Sequence, residues 1–150
     1  MNGPRSILLV EDNPDDVDLT RRAFRRAGLT QPMEVVEDGV EALDYLFARG
    51  AHAHRAGEPL PALVLLDLKL PRLDGHEVLR QIRADARTRF LPVVILTSSD
   101  EEKDLVESYS HGCNSYVRKP VSYNEFVEAA RQLGVYWLVL NRAPPAGGRA

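Results

Sequence analysis

Polar side chains able to do chemistry stand directly behind the apolar runs of this chain. Glu11 and Asp12 follow Ile7-Leu8-Leu9-Val10, and Asp67 follows Leu63-Val64-Leu65-Leu66. Thr97 follows Val93-Val94-Ile95-Leu96, and Lys119 follows Tyr116-Val117-Arg118, just ahead of Pro120. Carboxylates gathered at close range disfavour one another's ionisation. A hard divalent cation relieves that conflict, and Mg2+ binds through one or two carboxylates plus waters and phosphate oxygens. An ionised aspartate can also act as a nucleophile and form an aspartyl phosphate, with no general base needed. Cation, ammonium and hydroxyl would then stabilise charge spread over the transferring oxygens. Taken singly, Asp67 reads as a strand-end aspartate capping a turn. The phosphoryl reading depends on whether the fold brings these residues to one place.

The surrounding pattern predicts that it does. Bare apolar runs of four suit strands buried on both faces, as in parallel sheets. Met33 to Glu37 is a more polar strand, expected near an edge. Helices alternate with the runs, and their starts carry capping signals. Asn13 precedes Pro14, Asp38 precedes Glu41 by three, Asp74 precedes Glu77, Ser99 precedes Glu102, and Ser122 precedes Glu125. Behind Ser99, Leu105, Val106 and Tyr109 supply the apolar face; Gly28 and Gly112 close their helices. Strand-helix repeated five times calls for a five-stranded parallel sheet with helices on both faces and right-handed crossovers. The strands' carboxyl ends then share one edge, where open α/β sheets bind ligands.

The remaining features exclude other classes. At 150 residues with a net charge of -3, the chain is one domain without an overall basic field for nucleic acid. Arg21, Arg22, Arg25 and Arg26 read as the exposed back half of a helix. Cys113 is the single cysteine, which excludes an internal disulfide and fits a reducing, cytoplasmic compartment. The N-terminus lacks a secretory signal pattern, and no apolar run is long enough to span a bilayer. Glu11-Asp12-Asn13-Pro14 is not a glycine-rich phosphate loop, and no Gly-x-Ser-x-Gly elbow occurs. A phosphatase with an Asp-x-Asp pair would need a second aspartate where Lys69 stands. Gly50 to Pro61 reads as a solvated loop, although His52 and His54 are possible metal ligands lacking a third partner. Tyr136-Trp137-Leu138-Val139-Leu140 forms an apolar C-terminal extension, followed by a flexible tail over residues 142–150. Such an extension either covers the last helix or associates with a second copy.

Four motifs in order resemble the receiver domain of bacterial response regulators. They are Val10-Glu11-Asp12-Asn13, Leu66 to Pro71 with Asp74-Gly75, Ile95-Leu96-Thr97-Ser98, and Tyr116 to Pro120. The resemblance spans roughly Ser6 to Leu133. It implies a flavodoxin-like doubly wound (βα)5 fold with strand order 2-1-3-4-5. It makes Asp67 the phosphoacceptor and Asp12 the direct Mg2+ ligand, with Glu11 acting through water and the Lys69 backbone carbonyl completing the set. Lys119 and Thr97 would contact the phosphoryl oxygens, Tyr116 would be the aromatic switch, and the Lys119–Pro120 peptide would be cis. Glu11 stands where aspartate is commoner. Lys69 and Ser99 occupy positions that tune aspartyl phosphate lifetime in the family. The loop after Gly50 and the aromatic extension are similar to single-domain regulators that partner phytochrome histidine kinases. The implied activity is a phosphoacceptor switch, not a classical enzyme, charged by a sensor histidine kinase. Its output would be a protein contact, a homodimer through Tyr136, Trp137, Leu138 and Leu140, or phosphate relay, without DNA or membrane binding. A phosphorylation-independent interaction module is the alternative.

Overall fold

The structure is a computed structural model that describes residues 5–119, 122–142 and 144. Its strands are β1 (Ile7–Val10), β2 (Met33–Val36), β3 (Leu63–Leu66), β4 (Val93–Thr97) and β5 (Ser115–Arg118). Its helices are α1 (Pro14–Arg26), α2 (Gly39–Phe47), α3 (Gly75–Ala84), α4 (Glu102–Ser110) and α5 (Tyr123–Gly134). The strands form one parallel sheet in the order β2-β1-β3-β4-β5, the flavodoxin-like arrangement that the family resemblance implies.

Each bare apolar run is buried along its whole length because successive side chains face opposite layers. Leu8, Val10, Val64, Leu66, Val93 and Ile95 pack against Ala42, Leu43, Val78, Leu79 and Ile82 from α2 and α3. Ile7, Leu9, Leu63, Leu65, Val94 and Leu96 pack against Ala23 and Phe24 of α1 and Phe126 and Ala130 of α5. Each such side chain contributes roughly 1.5–3 kcal/mol by leaving water. The polar strand β2 does lie at the edge.

Most helix starts follow the capping pattern. Asn13 Oδ1 accepts from the Asp15 and Asp16 N–H groups, Asp38 Oδ1 from Glu41, Asp74 Oδ1 from Glu77, and Ser122 Oγ from Glu125. The exception is α4. It begins after Glu101, which makes no side-chain cap. Ser99 Oγ turns inward to donate to Asp104 Oδ2 at 2.6 Å instead of capping. The apolar face expected behind it is not covered either: Leu105, Val106 and Tyr109 are exposed, and within the helix only Ser108 is buried.

Two further expectations change. The Gly50–Pro61 loop contains a 3-10 helix, Gly50–Arg55, anchored by the buried Arg55 guanidinium on the Tyr45 and Pro59 carbonyls. His52 is half-buried there, its ring against Tyr45 and its Nε2 3.0 Å from Glu41 Oε2, so it is not a solvated loop residue. At the C-terminus α5 runs on into a π-helix, Val135–Leu140. Trp137 and Leu138 pack on the α1/α5 layer, whereas Tyr136 is 51% exposed. The Leu140 side chain, Pro120 with its expected cis peptide, and most of the tail over residues 142–150 lie outside the described part.

Candidate functional site

The sheet ladder continues one step beyond the strands and sets the polar residues in place. Val10 pairs with Leu66, so Glu11 emerges beside Asp67. The Glu11 N–H donates to the Val36 carbonyl at 3.0 Å, and the Asp67 N–H to the Val10 carbonyl at 3.2 Å. The Lys119 N–H donates to the Thr97 carbonyl at 2.7 Å. Glycine at position 75 is demanded by close approach. A Cβ there would collide with the Asp67 carbonyl oxygen and stand 2.7 Å from Leu68 Cα.

The side chains then converge. Asp67 Oδ1 accepts from Thr97 Oγ1 at 2.9 Å and faces the Lys69 N–H at 3.4 Å. Asp67 Oδ2 accepts from Lys119 Nζ at 3.1 Å. Lys119 Nζ also donates to Glu11 Oε1 at 2.6 Å and Asp16 Oδ2 at 2.8 Å. Glu11, Asp12 and Asp67 bring carboxylate oxygens within 4.8 Å of one another. Glu11 and Asp67 are buried, while Asp12 is exposed and lines a groove of about 540 Å³ with Leu68, Lys69 and Asp74.

Burial pushes the Glu11 carboxyl up to about 7; the neighbouring Asp67 charge adds to the rise, and the Lys119 ammonium opposes it. Burial alone would lower the Lys119 ammonium, but Asp16, Glu11 and Asp67 outweigh it and hold the lysine charged. One ammonium therefore serves three carboxylates. An all-oxygen donor set with surplus negative charge suits a hard ion such as Mg2+ or Mn2+, and the residues present fit one.

The structure thus gathers Glu11, Asp12, Asp67, Thr97 and Lys119 as the sequence pattern requires. Lys69 contributes its N–H, and its side chain is exposed. Tyr116 stands behind the site, half-buried, its hydroxyl donating to the Ser99 carbonyl at 2.9 Å. Sequence reading missed Asp16 as a partner of Lys119. The available signal was that α1 starts at the sheet's carboxyl edge, so its first turn must face the site.

The profile of the response regulator receiver domain family matches residues 7–131. By sequence the chain is 46% identical over 142 residues to the probable methanogenesis regulatory protein FilR2 of Methanothrix harundinacea, covering 94% of this chain and 88% of that one. It is 32% identical over 145 residues to the response regulator Rcp1 of Synechocystis sp., with 97% of each chain covered. The crystal structure of the Mn2+-bound form of Rcp1 matches with a TM-score of 0.84 over 95% of this chain and 100% of that one. The structure of the bacteriophytochrome response regulator AtBRR is 50% identical, with a TM-score of 0.76 over 94% of this chain and 100% of that one. The converged acidic edge, the 2-1-3-4-5 sheet and these likenesses lead to one conclusion: the chain belongs to the response regulator receiver domain family, with relatives in phytochrome signalling.

Proposed function

We propose that this receiver domain is a phosphorylation-dependent signalling switch whose phosphoacceptor is Asp67. An Asp67 carboxylate oxygen attacks the phosphorus of a kinase phosphohistidine. The P–N bond breaks, the imidazole leaves, and an aspartyl phosphate forms. The observation that carries this reading is the setting of Asp67, held between Thr97 Oγ1 and Lys119 Nζ with Glu11 and Asp12 in ligand reach. Asp12, Asp67 and the Lys69 carbonyl would hold Mg2+, with Glu11 assisting through water. The ion would neutralise charge on the transferring oxygens. The Mn2+-bound Rcp1 structure supports a divalent ion at such a site.

Once the phosphoryl group is on Asp67, Thr97 Oγ1 hydrogen-bonds a phosphoryl oxygen in place of the carboxylate. That pull acts on the loop holding Ser99, to which the Tyr116 hydroxyl is bonded. Tyr116 and the weakly buried α4 form the two-state element. The phytochrome link of AtBRR supports a phytochrome-type histidine kinase as donor. The exposed Tyr136, flanked by the half-buried Trp137 and Leu138, is the proposed homodimer surface.

The test is intact mass after incubation with Mg2+ and a small acyl phosphate. One phosphoryl increment that disappears in Asp67→Asn is expected. An increment that persists in Asp67→Asn moves the acceptor elsewhere. No increment with any donor favours the phosphorylation-independent module.

A further inference from the structure

A second cluster of ligating side chains lies between α3 and α4 and borders the groove that Asp12 also lines. His76 is the second residue of α3. Asp104, Glu107 and His111 follow at spacings of three and four along α4 and its C-cap, which places them on one face. His76 Nε2 is 3.1 Å from Asp104 Oδ1 and 3.8 Å from Glu107 Oε1. His111 Nε2 is 3.5 Å from Glu107 Oε2, and the two imidazole rings are 6.3 Å apart. Donor atoms of His76, Asp104 and Glu107 all fall within 4.8 Å of one another.

We propose that His76, Asp104 and Glu107 bind Zn2+, with His111 at the rim as the outer partner of Glu107. A tetrahedral ion with ligands at about 2.0–2.1 Å requires ligand-to-ligand separations of about 3.3 Å. The 3.1 and 3.8 Å from His76 Nε2 to Asp104 Oδ1 and Glu107 Oε1 bracket that value, and water would take the fourth position. One imidazole and two carboxylates are a borderline donor set, unlike the all-oxygen edge around Asp67, so the two sites sort different ions. The groove lined by Asp12 and Lys69 also reaches His76 and Asp104 and gives an ion its way in.

A plain His–Asp hydrogen bond does not account for the rest of the cluster. It leaves Glu107 Oε1, 3.8 Å from the same ring nitrogen, without a role, whereas Glu107 and His111 are an ordinary i,i+4 pair. His76 Nδ1 is buried and has no hydrogen-bond partner among the described residues. No outer contact therefore locks the tautomer, and the ring proton moves from Nε2 to Nδ1 when the ion takes Nε2. The missing outer partner also weakens the site, since such partners are worth about 10–100-fold in metal affinity. Occupancy is thus reversible rather than structural.

The site has a consequence for the switch, which rests on the phosphorylation reading, whereas the metal binding does not. Asp104 Oδ2 also accepts from Ser99 Oγ, and the Ser99 carbonyl accepts from the Tyr116 hydroxyl. An ion on Asp104 ties α4 to α3 beside the loop that must move.

The experiment is a zinc titration of the full chain in competition with a chromogenic chelator, under saturating Mg2+. One Zn2+ per chain is expected, with affinity falling at least about tenfold in His76→Gln and in the rim variant His111→Gln. Asp12→Asn, which alters the acidic edge and none of the proposed zinc ligands, keeps the zinc. Zinc raises Tm in the wild type and in Asp12→Asn but not in His76→Gln. No uptake at micromolar zinc overturns the site. So does uptake unchanged in both histidine variants, which would put the ion at Cys113 or at His52 and His54. Loss in Asp12→Asn overturns it as well, by moving the ion to the acidic edge. If His76→Gln does not fold, His111→Gln alone decides.

Discussion

Replacing Lys119 by methionine tests the electrostatics of the site without touching the phosphoacceptor. The lysine side chain is 11% exposed and donates to Glu11, Asp16 and Asp67. Removing one partner of a buried ion pair costs about 3–5 kcal/mol. Two features of the site pull the value to the lower end. The Asp16 side chain is 33% exposed and is relieved by water. Glu11 is poised to take up a proton, which limits how much an unpaired charge can cost. The expected loss is about 3 kcal/mol at neutral pH without divalent ions. With a urea slope of about 2 kcal/mol/M, the unfolding midpoint falls by about 1.5 M. Mg2+ then has the carboxylates to itself, so it stabilises the variant more than the wild type; at 100 times its Kd the gain is about 2.7 kcal/mol. Urea denaturation of both proteins, with and without Mg2+, reads all of this. A loss under about 0.5 kcal/mol would refute the claim that one buried ammonium holds the carboxylates together. Equal Mg2+ gains in the two proteins would refute the claim that lysine and ion share those carboxylates.

Other perturbations probe the supports of the site. Gly75→Ala drives a methyl group into the backbone at Asp67 and Leu68, which cannot rotate away. It is expected to cost about 1–3 kcal/mol and to slow acyl phosphate labelling, measured by urea melts and intact mass; labelling at the wild-type rate would contradict the close approach. Asp38→Ala removes the α2 cap and the Arg72 contact and should cost about 1 kcal/mol at neutral pH. Burial works to raise the Asp38 carboxyl, but the Glu41 N–H and Arg72 outweigh it and hold it below the usual aspartate value of 3.8. Its contribution is therefore complete above that value and fades as pH falls below it, so the gap between wild type and variant should close in acid; a gap constant with pH argues against a carboxylate cap. Tyr136→Ser should shift sedimentation toward monomer and leave the circular dichroism of the fold unchanged, because this ring is exposed. Truncation at Leu133 is the poorer test, since it would also strip Trp137 and Leu138 from the core.

Much of this architecture is legible from local pattern. Runs such as Leu63–Leu66 announce strands covered on both faces, because a half-exposed strand would alternate. Asn13, Asp38, Asp74 and Ser122 announce helix starts, because a short polar side chain there satisfies free N–H groups. The same logic fails at Ser99. Its spacing to Glu102 matches a cap, yet its hydroxyl finds the Asp104 carboxylate, and α4 begins later. The apolar spacing of Leu105, Val106 and Tyr109 likewise predicts a buried face that no neighbouring element covers. Periodicity reports which residues share a side of a helix, not whether anything packs against it.

The sequence by itself determined the strands and helices, the parallel direction of the strands, and the polar residues that end each run. Those are local matters of period, capping and chain direction. Tertiary structure decided which of these residues share a partner. Pairing of Val10 with Leu66 puts Glu11 beside Asp67, and the start of α1 brings Asp16 to Lys119 across 103 residues of chain. Packing of α3 beside α4 brings His76 to Asp104. Such meetings depend on register and helix placement, and ångström separations between distant side chains leave no trace in local spacing.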